Sequence, residues 1–303
     1  MKIKEWILFI LLGIIWGSSF MWIRIAVNDV DPFTLVAFRL LFGLFGLVIA
    51  LFYYQEPFPF QPATWTKYII MAVFSIVIPF LCISWGETRI ESGLASILNA
   101  TMPLFTIVIA HYWLRDEKIT ILRIVGLGLG FVGVVILLSR DITLAGLRGD
   151  VLGQLAVILG AVAYAVAAIF SRRYLRGEKP VVQSTMILVF ANIMIWPMAL
   201  LFQNPFRIPI LPLTWVAFIW LGLLGLCIAY LIFFHLINVW GATRTSLVTY
   251  LYPFMGLTLG VIFLNEKPDW RVLVGFVLVF SGIVIVNLKT NGSRQLLAEK
   301  SPC

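Results

Sequence analysis

The sequence predicts an all-α integral membrane protein of ten transmembrane helices, arranged as two inverted five-helix repeats. Three observations carry that expectation. The 303 residues are 61% hydrophobic and only 12% charged, more apolar surface than a water-soluble fold of this size can hide. Ten apolar runs follow one another, each close to the ~20 residues that a bilayer core requires. The second half then repeats landmarks of the first at an offset near 150 residues, as an internal duplication does.

The runs can be taken in order. The first, about 6–26, follows Lys2 and Lys4 and holds Trp16-Gly17-Ser18-Ser19-Phe20. It is long enough to span, so it reads as a retained helix and not a cleaved signal. The second, about 32–53, opens at Pro32 and carries Arg39, roughly 10 Å from its outer end at helical rise. There an arginine can snorkel or pair with Glu87 or Glu91, and a structural or gating ion pair is favoured over solute contact. The third is about 66–86, and the fourth, about 91–113, has Pro103 near its middle. Proline lacks an N–H and crowds the preceding turn, so a bend with a freed carbonyl is expected. The fifth run, about 119–138, follows Glu117 and contains Gly128-Leu129-Gly130-Phe131-Val132-Gly133. That spells a dinucleotide fingerprint, but no strand precedes it, so close helix packing through Gly126 and Gly130 is the reading. The remaining runs, about 151–171, 182–203, 213–236, 244–264 and 270–288, include a second mid-run proline, Pro253. Residues 291–303 form a polar cytoplasmic tail.

Charge sets the orientation. With a cytoplasmic N-terminus, 14 Lys and Arg residues fall inside and 8 outside, the cluster Arg172, Arg173, Arg176 and Lys179 dominating. That places both termini in the cytoplasm of a cell whose inner (plasma) membrane the chain crosses. An odd number of spans per half makes the halves inverted. The net charge of +8 lies in loops and termini, where it serves topology and not nucleic-acid binding. Cys82, Cys227 and Cys303 are too scattered for a disulfide or metal site,, and no metal or other cofactor is expected.

The repeat appears in specific residues. An offset of 150 pairs Pro103 with Pro253 and Ala95-Ser96 with Thr245-Ser246. An offset of 149 pairs Glu117-Lys118 with Glu266-Lys267, Gly126 with Gly275 and Gly133 with Gly282. An offset of 148 pairs Trp16 with Tyr164, Arg24 with Arg172 and Pro32 with Pro180. The units are 1–140 and 150–290. With the Trp16–Phe20 motif, the two prolines, the two glutamates and the glycine pairs, the chain resembles the EamA-type branch of the drug/metabolite transporter superfamily over nearly its whole length. That resemblance implies a ten-helix inner-membrane carrier of a branch in which many members export amino acids or other small metabolites, without fixing the substrate.

Candidate solute contacts come from polar or amphipathic groups deep in the spans. Most tryptophans lie near span ends, as an interfacial belt requires, but Trp16 is deep and so is its partner Tyr164,. Ser19 shares a face with Trp16. Trp85 and His235 are partners by the offset of 150 and would mark opposite ends of a path; a histidine in an apolar span can couple to protons or bond a carbonyl. Asn99 and Tyr250 sit within a turn of the prolines. Pro103 and Pro253 are read as hinges. Glu117 and Glu266 are read as structural groups at helix starts. The expectation is a monomeric secondary carrier for small neutral or zwitterionic solutes in a lipid bilayer, an exporter being favoured, with no nucleic-acid partner. A lipid-modifying membrane enzyme lacks a nucleophile–base pair or metal cluster, and a non-transporting assembly partner lacks a signalling domain. Proton exchange and passive facilitation stay open.

Overall fold

Backbone polar groups find no water in a bilayer core, so each span must satisfy them internally, and helix is what these apolar runs form. The computed structural model describes residues 3–56, 62–113, 121–139, 142–143, 146–147, 149–175, 177–202, 208–240 and 246–287. The first half comprises α1 (Ile3–Ala26), α2 (Pro32–Tyr53), α3 (Pro62–Ala72), α4 (Ile78–Glu87), α5 (Ser92–Asn99), α6 (Met102–Trp113) and α7 (Ile121–Ser139). A two-residue antiparallel hairpin, Ile142–Thr143 with Gly146–Leu147, leads to the second half. There follow α8 (Gly149–Tyr174), α9 (Pro180–Phe202), α10 (Pro212–Ile219), α11 (Ala229–Trp240), α12 (Leu251–Leu264) and α13 (Trp270–Asn287). Among the described residues, seven helical stretches are long and apolar enough to cross a membrane, accompanied by three shorter ones, Ile121–Leu137, Val248–Leu264 and Trp270–Ile285. The chain is a multi-pass, helical membrane protein. Glu117, part of Arg-rich clusters such as Arg176, and the tail lie outside the described residues.

The prolines do something other than bend a continuous helix. Helix α5 stops at Asn99, Ala100 and Thr101 form a turn, and Pro103 sits in the first turn of α6. Thr101 N–H bonds back to Leu98 O at 3.2 Å, and its Oγ1 donates to the same carbonyl at 2.6 Å. In the second half a 3-10 segment, Ser246–Tyr250, precedes α12, whose first turn holds Pro253. Proline fits a first turn, where its missing N–H has no partner to lose, so these runs are interrupted and not merely kinked.

A second irregularity was not visible in the sequence. Helices α3 and α4 join through a π-helical stretch, Val73–Val77, and α10 and α11 through another, Trp220–Ile228. Such stretches break the regular ladder and expose backbone carbonyls, and they gather at functional sites. Gly222 lets the second one press onto α2: a Cβ there would lie 2.8 Å from Arg39 O and 3.0 Å from Gly43 N.

The glycines singled out in the sequence meet in crossed combination, Gly126 against Gly282 and Gly133 against Gly275, not repeat partner against repeat partner. Helices α7 and α13 pack along their lengths. A Cβ on Gly282 would fall 2.5 Å from Gly126 O and 2.7 Å from Gly130 N, and one on Gly133 would fall 2.9 Å from Val279 N. Gly128, in the middle of the apparent fingerprint, faces open space.

One end of the molecule is fastened across the two halves. Asn265 adopts a left-handed conformation, φ 55°, at the close of α12 and turns Glu266 back onto α5. Glu266 accepts from Ser92 N and Ser92 Oγ, both at 2.7 Å, and from Gly93 N at 3.0 Å. Its carboxylate therefore caps a helix of the other half, not the helix that follows it. On the same end Asp29 Oδ2 accepts from Ile210 N, Leu211 N and Thr214 Oγ1, at 3.2, 3.1 and 2.7 Å, at the start of α10. Arg24 Nη1 donates to Glu87 O between them.

Candidate functional site

Aromatic rings from two helices, α11 and α12, pack around the indole of Trp16. Its ring centre lies 6.0 Å from Tyr230, 5.2 Å from Phe233 and 6.2 Å from Tyr252, and Phe20 stands 6.5 Å from Tyr252. The indole Nε1 donates to Gly225 O at 2.9 Å, a carbonyl inside the π-helical stretch Trp220–Ile228. The irregular stretch thus supplies the acceptor that fixes Trp16. One turn away, Trp220 Nε1 donates to Ser18 Oγ at 3.0 Å. Trp16, Tyr164, Tyr230 and Tyr252 each keep part of their surface accessible although they stand among packed helices.

The centre of this cluster carries a charge. Arg39 is 6% exposed, and its guanidinium lies 3.9 Å from the centre of the Phe80 ring. It does not snorkel. It faces Tyr164, Tyr230 and Glu87 electrostatically, but its Nε has no hydrogen-bond partner. Gly225 opens the space beside it: a Cβ there would be 3.8 Å from Ser19 Oγ and 4.0 Å from Arg39 Nη2, with no clash. Helix α4 contributes Phe80, Ser84 and Glu87, buried at spacings of four and three residues and so on one face,. Ser84 Oγ and both Glu87 carboxylate oxygens also lack hydrogen-bond partners. Buried polar groups without partners are rare, and here Arg39 of α2 and Ser84 and Glu87 on one face of α4 are three of them.

The structure sorts the residues singled out in the sequence. Trp16, Ser19 and Tyr164 come together around Arg39. Ser19 Oγ donates back to Ile15 O at 3.1 Å, which leaves its lone pairs toward Gly225. Asn99 is buried with Oδ1 unpartnered, one residue before the turn that separates α5 and α6. Tyr250 is committed elsewhere, its hydroxyl donating to Ile283 O at 3.1 Å and its ring against Phe280. Trp85 is 37% exposed on a lateral crevice of about 420 Å³ bordered by Pro32, Phe33, Cys82 and Phe202, with the Arg89 guanidinium over its ring. His235 is an exposed residue of α11. These last two are not brought to the cluster.

Arg39, Phe80, Tyr230 and Tyr252 had not been picked out from the sequence as solute contacts. A signal existed for each. Phe80 and Tyr230 obey the same offset of 150 that pairs Trp85 with His235, and Tyr252 precedes Pro253. Arg39 stands seven residues after Pro32, where the second half has Ile187 seven after Pro180. A fold that accepts isoleucine at the matching place does not need a cation there. Among the described residues, no three His, Cys, Asp or Glu side chains gather as metal ligands.

Comparison with known proteins agrees with this architecture. The chain is 24% identical to uncharacterized transporter YoaV of Bacillus subtilis, over 93% of this chain and 96% of that one. An uncharacterized transporter of Archaeoglobus fulgidus is 25% identical over 93% of this chain and 98% of its own. A chloroplastic WAT1-related protein of Arabidopsis thaliana is 24% identical over 93% of this chain and 69% of its own. A solved crystal structure superposes with a TM-score of 0.67 at 18% identity, covering 98% of this chain and 99% of that one, a likeness that speaks to the fold. The model of the EamA-like transporter family matches residues 3–139 and again 151–288. With nearly every described span inside those two matches, the chain belongs to the EamA-like transporter family.

Proposed function

We propose that the protein is a secondary carrier that exports small neutral or zwitterionic metabolites, amino acids among them, by alternating access. The observation that carries this reading is the partly open aromatic cluster of Trp16, Tyr164, Tyr230 and Tyr252, contributed by both halves and set around one buried cation. Aromatic walls hold the apolar body of a solute, while tyrosine hydroxyls orient it. Ten crossings as two inverted repeats, 1–140 and 150–290, are supported by the twofold family match and by π-helical stretches whose first residues, Val73 and Trp220, lie 147 apart. Both termini then face the cytoplasm of an inner-membrane monomer. The two halves rock about the site, and the interrupted helices at Pro103 and Pro253 absorb the change in backbone angle.

The test uses the purified full chain in liposomes loaded with a mixture of amino acids. Counterflow of labelled amino acid is expected. Trp16→Ala removes one wall of the site and is expected to reduce the rate roughly tenfold or more, with its chromatographic profile unchanged. Undiminished counterflow in Trp16→Ala removes this cluster from the path, and no flux of any tested solute removes the carrier reading.

A further inference from the structure

We propose that Arg39 is the anchor for a carboxylate on the transported solute. This rests on the carrier reading above and names the chemistry its site selects. Arg39 is buried, with only 6% of the residue exposed. Among the described residues it makes no hydrogen bond and no contact ion pair, its one close partner being the face of Phe80. Its Nε points to no acceptor although five N–H donors are available to an oxyanion. Taking a guanidinium out of water without a hydrogen-bonded counter-charge costs several kcal/mol as an order of magnitude, of which the Phe80 face and the Glu87 charge return only a part,. The matching position of the second half is Ile187, buried at 7%, so the fold itself places no demand for this charge.

The surroundings favour one kind of oxyanion. Arginine binds a carboxylate by two parallel N–H donors, a planar match. The space kept open by Gly225 lies beside Arg39 Nη2, so a carboxylate there meets the cation; the Ser19 hydroxyl, whose proton goes to Ile15 O, borders the space without supplying a donor. Tyr164, within electrostatic reach of the guanidinium, carries a phenolic O–H. A phosphate dianion is disfavoured. The second nearby cation, Arg24, is tied to the Glu87 backbone carbonyl, and the Glu87 carboxylate faces the same region with both oxygens unpartnered. A single buried guanidinium free of hydrogen bonds matches one negative charge better than two,. The rings of Trp16, Phe20 and Tyr252 then receive an apolar or aromatic body attached to the carboxylate.

The experiment compares four probes that share one ring: phenylalanine, phenylpropionate, phenethylamine and phenyl phosphate. Binding is read as ligand-induced thermal stabilisation of the full chain in detergent, and movement as counterflow in liposomes. The wild type is expected to bind the two carboxylates and to bind the amine and the phosphate ester at least tenfold more weakly. Arg39→Gln is expected to abolish the carboxylate advantage, a loss of roughly 10- to 100-fold for a charge-assisted pair, and Arg39→Lys to keep part of it. A wild type that handles phenethylamine as well as phenylalanine overturns the proposal while leaving the carrier reading intact, and this arm does not depend on any variant folding. A stably folded Arg39→Gln that keeps the carboxylate preference also overturns it. Tighter binding of phenyl phosphate than of phenylpropionate reassigns the anchor to phosphate esters and overturns the carboxylate. Carboxylate binding without counterflow upholds the anchor and refutes the carrier. Neither binding nor counterflow of any probe refutes both.

Discussion

Trp16 shows how a single residue couples the two halves. Its ring packs on side chains of α11 and α12, and its N–H ends on Gly225 O in the π-helical stretch. The two contributions can be separated. Trp16→Phe keeps an aromatic wall but removes the indole donor from Gly225 O, so a loss of about 1 kcal/mol in stability is expected, read as a lower thermal midpoint with most transport retained. An unchanged midpoint would mean that the carbonyl finds another donor. Gly225→Ala probes the space beside Arg39. The added methyl meets its nearest neighbours at 3.6–4.0 Å, an ordinary contact, so folding is expected to be preserved while a carboxylate solute binds several-fold more weakly.

At the scale of elements, the glycines of α7 and α13 make opposite predictions for the same substitution. Gly282→Ala drives a methyl against the Gly126 carbonyl oxygen and the Gly130 backbone, at 2.5 and 2.7 Å. Backbone cannot step aside as a side chain does, so the helices must separate, and a loss of about 1–3 kcal/mol is expected for such overpacking. Gly128→Ala meets nothing within 4 Å and relieves the poor helix propensity of glycine, so a change between zero and about 1 kcal/mol of stabilisation is expected. Thermal midpoints of both variants decide the matter, and equal effects would refute the packing assignment.

For the whole molecule, the two cross-half carboxylates matter most. Glu266 caps α5 and Asp29 caps the start of α10, so one end is closed by bonds that join the halves. In the proposed alternating-access cycle, rocking breaks such bonds, and their strength biases which end stands open. In Glu266→Ala the N–H groups of Ser92 and Gly93 lose their acceptor. Hydrogen–deuterium exchange over Ser92–Asn99 is expected to rise roughly tenfold or more, the equivalent of about 1.4 kcal/mol or more of lost protection, with α7 and α13 unaffected. Unaltered exchange in that segment would show that the carboxylate does not hold this end.

Hydropathy and residue offsets made the apolar spans legible, because a bilayer imposes length and composition on every helix that crosses it. They also identified the paired glycines of α7 and α13, since close approach restricts side-chain size at those positions. Trp16 and Tyr164 stood out by depth alone. What the sequence could not state was facing. A membrane helix is apolar all round, so its composition does not say which side meets a neighbour. Arg39 read as a snorkelling or ion-paired residue until the packing of α2 against α4 and the π-helical stretch enclosed it. Glu266 read as a cap for its own helix until Asn265 turned it onto α5. Local pattern determined which segments are helical and where two of them break. Only tertiary contact, which sets the distance and direction between groups more than a hundred residues apart, decided which polar side chains are buried together without partners.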